Sequence, residues 1–395
     1  MKIIIGADLV PTESNYKYFE SGNVERLIGK DLFEKLKLAD YTIFNLEIPL
    51  TNTVSPIEKC GPNLIAPTAT IVGLQKINPH FFTLANNHIM DQGMKGLEDT
   101  IQVLDQAGIS YAGVGSDLEY AQAAASYIVN LNGVRVGIYC CAENEFSIAD
   151  VDTPGVNPFD PLESLDHVIN LKKNCDYLIV LYHGGKEHYR YPSPYLQKVC
   201  RKLVSKGADL VVCQHSHCIG AEEQWQEGQH CGTIVYGQGN FLFDRSDSEF
   251  WQTGLLIELD IDRGDSGLDV NISYVPIHKV AETVRLATKD DASDILNAFE
   301  LRSEELTDSG LLEKKYQQFA DSMLGGYLSS FSGKKSMFYR IVNKLTGYRF
   351  GKWKLKRKYR KKERISIINY VECEAHRELL LKGLKNKFED DKQYR

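Results

Sequence analysis

The stretch Val211-Val212-Cys213-Gln214-His215-Ser216-His217 decides how the fold of this chain is interpreted. An apolar run at residues 210–213 predicts a buried strand, which ends at two histidines separated by one residue. On an extended chain, residues i and i+2 point the same way, so we expect His215 and His217 to reach one site. Neutral imidazole is a common ligand of divalent transition metals. The alternative is that one histidine forms a hydrogen bond at the strand end and the other is solvated.

Five further apolar runs end at polar residues in the same way. They cover residues 2–7, 41–46, 80–85, 176–182 and 233–236, and the polar residues that end or follow them are Asp8, Glu47, Asn87 with His88, His183, and Asn240. Segments with helical spacing lie between them, as at 97–104 and 196–204. Strands that alternate with helices predict an α/β fold with helices outside the sheets. In such sheets, ligands bind outside the carboxyl ends of the strands.

Two stretches do not fit a single parallel sheet. Asn132-Gly133 separates two β-rich runs, which is a strong hairpin signal. Residues 253–261 and 268–275 alternate in the manner of antiparallel strands. We therefore predict two mixed sheets in a domain that covers residues 1–283.

Composition narrows the class of protein. The 395 residues are 43% hydrophobic and 25% charged, as in globular proteins with a sizeable core, and the net charge of −7 argues against general nucleic-acid binding. The nine cysteines include no CxxC pair, so we expect mostly reduced thiols. The first apolar run is too short for a signal peptide, and no run of eighteen apolar residues occurs. We therefore expect a cytoplasmic protein.

Residues 284–395 differ from the preceding domain. Helical periodicity with charged outer faces occurs at 291–306, 311–324 and 365–388. Residues 334–364, which we call the basic segment, contain 14 Lys or Arg and one acid, a net charge of +13 that leaves −20 for the rest of the chain. Aromatic residues are interleaved with these cations. One interpretation is a solvated, mobile face; the other is a surface that binds anionic lipid headgroups, which would make the protein peripheral at the inner face of the membrane.

The polar strand ends have the chemistry of a metal site. Carboxylate, amide oxygen and imidazole together suit a borderline divalent ion such as Mn²⁺, Fe²⁺ or Zn²⁺, and a carboxylate can bridge two ions in phosphoester cleavage. His88 follows Asn87 and need not be a ligand. It could instead protonate a leaving alkoxide while Asp91 holds its tautomer; the alternative is a hydrogen-bonded loop residue.

Two further residues are candidates for substrate binding. Lys59 lies in a loop with Pro56, Gly61 and Pro62 that is predicted to cover the strand ends. It would contact a substrate anion, or else it is a solvent-exposed lysine. The glycines before Asn240 would let the backbone approach a phosphate, or would support the ligand loops. The expected substrate is thus a small or polymeric anion.

At these residues the chain resembles the CapA family of capsule and poly-γ-glutamate biosynthesis proteins, within the calcineurin-like metallophosphoesterase superfamily. The resemblance covers residues 1–262 and rests on seven elements in order: Gly6-x-Asp8, Asn45-Leu46-Glu47, Ala85-Asn86-Asn87-His88-x-x-Asp91-x-Gly93, His183-Gly184-Gly185-x-Glu187-x-Tyr189, Gly207-Ala208-Asp209-Leu210-Val211, Gln214-His215-x-His217 and Gly239-Asn240-Phe241-x-Phe243.

The resemblance implies a four-layer α-β-β-α sandwich with a C-terminal helical extension. It implies one or two divalent ions, with Glu47 or its neighbour in the bridging position and His88 as the acid. The implied metal ligands are Asp8, Glu47, Asn87, His183, His215 and His217. Two residues depart from the superfamily phosphatases, which usually carry a histidine where Val10 stands and Gly-Asp where the second strand ends at Glu47.

Two functions of different class follow from the resemblance. The first is a metal-dependent phosphoester hydrolase that acts in capsule, exopolysaccharide or poly-γ-glutamate biosynthesis. The second is a non-hydrolytic metal-binding accessory protein of polymer assembly or export. The pair His88 and Asp91 favours the hydrolase, because a pure binding protein does not need an acid, whereas Val10 favours the accessory protein.

Overall fold

The first strand of the chain, β1 (Lys2–Val10), lies inside the larger of two sheets in the computed structural model. Every residue of β1 after Lys2 is buried, which fits a strand covered on both faces. Its first half pairs antiparallel with β14 (Thr253–Gly264), and its second half pairs parallel with β13 (Asn240–Phe243). On the other side it pairs in parallel with β2 (Tyr41–Leu46). Asp8 therefore lies where one neighbouring strand replaces another.

The structure describes residues 1–264, 267–331, 341–342, 344–347 and 349–393. The other strands of the larger sheet are β3 (Phe81–Thr83), β4 (Ser110–Ala112), β15 (Gly267–Val280) and β16 (Thr283–Leu286). Those of the smaller sheet are β6 (Ser126–Leu131), β7 (Val134–Ala142), β9 (Tyr177–His183), β10 (Leu210–Gln214), β11 (Glu222–Glu227) and β12 (His230–Val235). A short separate pair is formed by β5 (Val114–Gly115) and β8 (Gly155–Val156).

Both sheets mix parallel and antiparallel pairs, as predicted. The larger follows the order β16-β15-β14-β1-β2-β3-β4, with β13 beside β1, and the smaller follows β11-β12-β10-β9-β7-β6. The predicted hairpin is confirmed: β6 and β7 are joined at Asn132 and Gly133, which both have positive φ values of 53° and 84°. This conformation is the reason that Asn-Gly is favoured in two-residue hairpin turns.

Along the chain, helices lie between the strands and after the last of them. They are α1 (Tyr16–Glu20), α2 (Val24–Ile28), α3 (Lys30–Lys37), α4 (Ile71–Lys76), α5 (Gly93–Ala107), α6 (Leu118–Ala123), α7 (Ser164–Lys172), α8 (Pro194–Ser205), α9 (Lys289–Glu305), α10 (Ser309–Ser330), α11 (Arg349–Lys358), α12 (Lys361–Glu372) and α13 (Glu374–Gln393). Short 3₁₀ helices cover Thr68–Thr70 and Glu249–Trp251.

The alternation of side chains gives the smaller sheet two buried faces. One face, which includes Ile138 and Leu181, belongs to a large core cluster together with the larger sheet and the apolar sides of α3 and α5. The opposite face, which includes Val180 and Val211, packs with α7 and α8 in a second cluster. The layers are therefore helix, sheet, sheet and helix, which confirms the predicted four-layer sandwich.

The chain divides into two compact units, Met1–Glu313 and Lys314–Arg395. This division falls later in the chain than the predicted boundary at residue 283, so β16 and α9 belong to the first unit. Within the described ranges, no helix is both long and apolar enough to cross a bilayer. Residues 334–340, 343 and 348 of the basic segment lie outside the described residues.

Some predicted bounds were wrong. The helical pattern at 365–388 is divided between α12 and α13, because Cys373 is extended with φ −69° and ψ 113°. The strand predicted to reach residue 85 ends at Thr83. Two elements, β11 and α11, were not predicted, since the first is a polar edge strand and the second is dominated by cations.

Candidate metal centre

The structure brings the six predicted metal ligands together from both sheets. Asp8 lies in β1, Glu47 and Asn87 follow β2 and β3, His183 ends β9, and His215 and His217 follow β10. Strand register explains part of this convergence. Asp8 is opposite Asn45 on one side and Asn240 on the other, and His183 is opposite Gln214.

Two overlapping groups of side chains share Glu47. The ligand atoms of Glu47, His183 and His215 lie within 4.8 Å of one another, and so do those of Asp8, Glu47 and His217. Glu47 Oε1 is 3.4 Å from His183 Nε2, and Asp8 Oδ2 is 3.5 Å from His217 Nδ1. Asn87 Oδ1 is 3.0 Å from His183 Nε2. Glu47 therefore occupies the position that a bridging carboxylate would take.

Several buried polar atoms of these groups have no hydrogen-bond partner among the described residues. They are Oδ2 of Asp8, both carboxylate oxygens of Glu47 and Nδ1 of His215. Leaving one buried polar group unsatisfied costs about 1–3 kcal/mol, and more for a charged group. Three carboxylate oxygens and one ring nitrogen that converge without hydrogen-bond partners form a donor set that fits a divalent transition metal.

Charge interactions within the site favour cations. Burial alone would raise the pKa of Asp8, but the imidazole of His217 at 3.5 Å and the charges of His183 and His217 lower it below its usual range. Burial opposes protonation of His217 and His183, yet nearby carboxylates raise both pKa values, that of His217 to about 9. The pKa of His215 is well below its usual value because of burial and the neighbouring imidazoles. His215 is therefore in the neutral form that coordinates metals.

The backbone at the two histidines is unusual. The strand β10 ends at Gln214, and His215 and His217 have φ values of 86° and 52°, in the region that favours glycine. The expectation that both lie on an extended strand was wrong, since both follow the end of β10 and have left-handed backbone conformations. Non-glycine residues held at positive φ cost roughly 1–3 kcal/mol and occur preferentially at functional sites. The strain indicates that the imidazole positions matter more than local stability.

Amide side chains hold the ligands in place. Asn45 Nδ2 donates to Asp8 Oδ1 at 2.8 Å and lies 3.2 Å from His183 Nδ1. Asn86 in turn donates to Asn45 Oδ1 at 2.9 Å, and its own Oδ1 accepts from the backbone N–H of His88. Asn240 Oδ1 is 2.9 Å from His217 Nδ1, so Asn240 contacts a metal-ligand candidate. Its predicted contact with substrate stays a prediction.

His88, Asp91 and Lys59 form a second cluster beside the ligands. His88 Nδ1 is 2.6 Å from Asp91 Oδ2, as an orienting carboxylate requires. The alternative that Lys59 is a solvent-exposed lysine was wrong, since its side chain is only 3% exposed and its ammonium group pairs with Asp91 Oδ1. Its predicted contact with a substrate anion stays a prediction. The ammonium nitrogen is also 3.2 Å from His88 Nδ1. The sequence did not indicate this three-residue contact.

The loop that carries Lys59 is fastened to the turn after His88. The backbone N–H of Leu64 donates to Asp91 Oδ2 at 2.6 Å, and that of Ile57 donates to the carbonyl oxygen of Asp91 at 3.1 Å. Gln92 adds hydrogen bonds to Ser55 N–H at 2.8 Å and to the Leu64 carbonyl at 3.0 Å. The position of Lys59 is thus fixed by the fold.

Aromatic side chains enclose His217, and sequence reasoning missed them. The Trp251 ring lies 4.3 Å from that of His217 with an interplanar angle of 30°, and Phe243 meets it edge-on at 5.6 Å. Trp251 Nε1 donates to His188 Nε2 at 2.9 Å. In the sequence, only Phe243 pointed to this contact, because it belongs to the same motif as Asn240. Trp251 lies in the separate 3₁₀ helix Glu249–Trp251 and was not indicated.

Comparison with known proteins identifies related chains. The model of the family described as "Bacterial capsule synthesis protein PGA_cap" matches residues 3–245. The capsule biosynthesis protein CapA of Bacillus anthracis is 31% identical over 60% of this chain and 58% of its own length. The PGA biosynthesis protein CapA of Bacillus subtilis is 28% identical over 53% of this chain and 54% of its own length. A probable polyglutamine synthesis accessory protein of Mycobacterium tuberculosis is 28% identical over 58% of this chain and 63% of its own length.

The chain thus spans little more than half the length of these curated relatives. Among solved structures, a putative 5′-nucleotidase from Staphylococcus aureus is 14% identical, with a TM-score of 0.45 over 75% of this chain and 57% of that chain. A phosphatase from Mycoplasma pneumoniae is also 14% identical, with a TM-score of 0.44 over 71% of this chain and 94% of that chain.

Proposed function

The chain belongs to the bacterial capsule synthesis protein family PGA_cap, and from that membership we propose that it is a metal-dependent phosphoester hydrolase. Its place is in the biosynthesis of a cell-envelope polymer: capsule, exopolysaccharide or poly-γ-glutamate. Its substrate is a small or polymeric anion. The expected ion is Mn²⁺, Fe²⁺ or Zn²⁺, in one or two sites.

One observation carries this proposal. Carboxylate and imidazole atoms of Asp8, Glu47 and His215 are buried without hydrogen-bond partners in the described chain, beside His183 and His217. A divalent ion would supply the partners that these atoms lack. Asp8, Glu47, Asn87, His183, His215 and His217 would hold it.

A bound divalent ion supplies Lewis acidity toward a phosphoryl oxygen. The chain's own residues supply proton transfer. Because His88 Nδ1 faces Asp91, its other ring nitrogen, Nε2, is the one that would donate a proton to a leaving alkoxide. Asp91 fixes the orientation of the ring, and the ammonium group of Lys59 pairs with the other oxygen of the same carboxylate.

Metal content of purified variants tests the site. In the variant with both His215→Ala and His217→Ala, we expect mass spectrometry to find less metal per folded chain than in the wild type. His376→Ala is the matched control, because His376 is exposed and belongs to the second unit. Equal metal content in the double variant and the control would contradict the assignment. Phosphomonoester and phosphodiester reporters, assayed with and without metal, then test hydrolysis.

The second candidate function is a non-hydrolytic accessory protein that binds metal and polymer. Val10 favours it, since the side chain at the end of β1 is buried and apolar and offers an ion no ligand atom. Metal bound at stoichiometric amounts, together with polyglutamate binding and no turnover of either reporter class, would support this function over the hydrolase.

The proposal places the protein in the cytoplasm. All nine cysteines are free thiols, and Cys200 Sγ and Cys213 Sγ lie 3.5 Å apart in the core without a bond. Unbonded thiols at this separation fit a reducing compartment. Thiol titration of protein from the native source, before and after reduction, tests this location.

A further inference from the structure

The described part of the basic segment forms helices that expose their cations. The helix α11 has the sequence Arg-Phe-Gly-Lys-Trp-Lys-Leu-Lys-Arg-Lys and contains no acidic residue. Each of its cationic side chains is exposed. The first turn of the helix α12 contains Lys361, Lys362 and Arg364, and all three side chains are exposed. Two consecutive helices therefore carry most of the described positive charge of this segment on their surfaces.

The side chains of α11 are segregated by face. Gly351 is buried and Leu355, one turn later, is half-buried, so these two define the inner side. On the other side Trp353 is 55% exposed, and Arg357, one turn further on, lies 5.5 Å from its ring. Lys356 shares this side, three residues after Trp353. The outer face is thus an exposed indole surrounded by cations.

The helix α12 exposes an aliphatic stripe next to its cations. Ile365, Ile368 and Val371 recur every third residue and are 55%, 50% and 54% exposed. Lys361 and Arg364 precede the two isoleucines by four residues each and so lie one turn earlier on the same face. Exposed aliphatic side chains beside cations are characteristic of helices that lie in a membrane interface.

We propose that the outer faces of α11 and α12 bind the surface of an anionic phospholipid bilayer. The cations would meet the headgroup phosphates, Trp353 would lie at the level of the headgroups, and Ile365, Ile368 and Val371 would enter the acyl boundary. A soluble polyanion such as polyglutamate could neutralise the cations, but it would leave the aliphatic stripe in water. The stripe is therefore the feature that selects a bilayer.

Co-sedimentation of the full chain with phosphatidylglycerol vesicles tests the electrostatic part. The protein should pellet with these vesicles at low salt, stay in solution with phosphatidylcholine vesicles, and be released at high salt, because exposed charges are screened. One cation near an anionic surface contributes about five-fold to the partition coefficient. The triple variant Arg349→Gln, Lys356→Gln and Arg357→Gln changes three exposed cations that lie three or four residues from Trp353 on the outer face, and it should therefore partition roughly a hundred-fold less.

A matched control removes the same charge elsewhere. Lys173→Gln, Lys198→Gln and Lys202→Gln change three exposed lysines of the first unit. This control should partition within about two-fold of the wild type, since these lysines lie outside the proposed surface. Equal losses in the two triple variants would overturn the proposal, because only the net charge of the chain would then matter. Circular dichroism checks that all variants keep their helices.

The aliphatic stripe separates a bilayer from a soluble polyanion. Ile365→Ser with Ile368→Ser should lower vesicle partitioning at least ten-fold and leave binding to soluble polyglutamate unchanged. The matched variant with Val54→Ser and Leu162→Ser removes two exposed aliphatic side chains of the first unit. It should change neither vesicle partitioning nor binding to soluble polyglutamate. In the wild type, brominated lipid should quench tryptophan fluorescence, and Trp353→Phe should abolish this quenching. The proposal would be refuted if the isoleucine variant partitioned like the wild type, or if brominated lipid did not quench the fluorescence of Trp353.

Discussion

Glu47 is the carboxylate common to both groups of metal-ligand candidates, so its replacement has a distinctive predicted effect. In Glu47→Gln the shape is kept and the charge is lost from both groups at once. We expect the variant to lose most of the stabilisation that a divalent ion gives to the wild type, while the chelated protein is little affected. Both Glu47 oxygens lack hydrogen-bond partners in the described structure, so few interactions are lost.

The magnitude follows from linkage. A ligand at 100 times its Kd stabilises the folded state by about 2.7 kcal/mol, which corresponds to roughly 4 °C in Tm for a unit of this size. If the substitution weakens binding about 100-fold, the same metal concentration stabilises the variant by only ~0.4 kcal/mol. In chelator, its free energy of unfolding should stay within about 1 kcal/mol of the wild type, since the lost contact with His183 offsets the relief of a buried charge.

The assay is thermal and urea unfolding with chelator and with Mn²⁺ or Zn²⁺. Glu258→Gln is the matched control, because Glu258 is also buried but pairs with Lys2 and Lys35. Its free energy of unfolding in chelator should fall by roughly 1–2 kcal/mol, a modest loss because the two lysines are partly exposed to solvent. Metal should stabilise this variant as much as it stabilises the wild type. If Glu47→Gln responds to metal as strongly as the wild type, Glu47 is not a ligand and the site is assigned wrongly.

Three further predictions concern His88, Lys59 and Glu258. His88→Ala should keep its metal but lose ~10²–10⁴-fold in rate on an alkyl phosphoester and far less on an activated aryl ester, and equal losses on both would exclude an acid role. Lys59→Ala should raise KM for an anionic substrate if the ammonium reaches it; an unchanged KM with a lower kcat would assign Lys59 to positioning His88 and Asp91. Burial would raise the pKa of Glu258, but Lys2 and Lys35 lower it below 4.5, so the free energy of unfolding should fall as the pH drops below about 4.5. Urea unfolding between about pH 3 and pH 6 should show a smaller fall in Lys35→Met, and an equal fall would contradict the ion pair.

The sequence predicted the strands that are buried on both faces. Such strands have continuous apolar sequences, so a polar residue at the end of each is easy to recognise. Because the carboxyl ends of these strands lie at one crevice, the polar residues are expected to lie close together. That is why Asp8, Glu47, His183 and the two histidines after β10 could be predicted as one group. The hairpin at Asn132-Gly133 was predictable for a local reason, because the turn needs positive φ at both residues.

What the sequence did not indicate depends on contacts between distant residues. The strand β11 has the sequence Glu-Glu-Gln-Trp-Gln-Glu, which lacks apolar alternation because it is an edge strand held by backbone hydrogen bonds to β12. Burial of Lys59 depends on Asp91, 32 residues away, and the stacking of Trp251 on His217 depends on a separate 3₁₀ helix. Nothing local signals the left-handed backbone at His215, since non-glycine residues rarely adopt it.

The position of β1 inside its sheet also constrains how the protein folds during synthesis. Lys2 pairs with Asp260 and Asp8 pairs with Asn240, so β1 obtains these neighbours only after more than two hundred further residues have been translated. Until then one edge of an apolar strand is unpaired, which slows folding and exposes a surface prone to aggregation. The same order applies to the metal ligands, since His215 follows Asp8 by some two hundred residues. A nascent chain that stalls before β13 and β14 would therefore carry every metal-ligand candidate but lack β13 beside Asp8 and β14 beside the first half of β1.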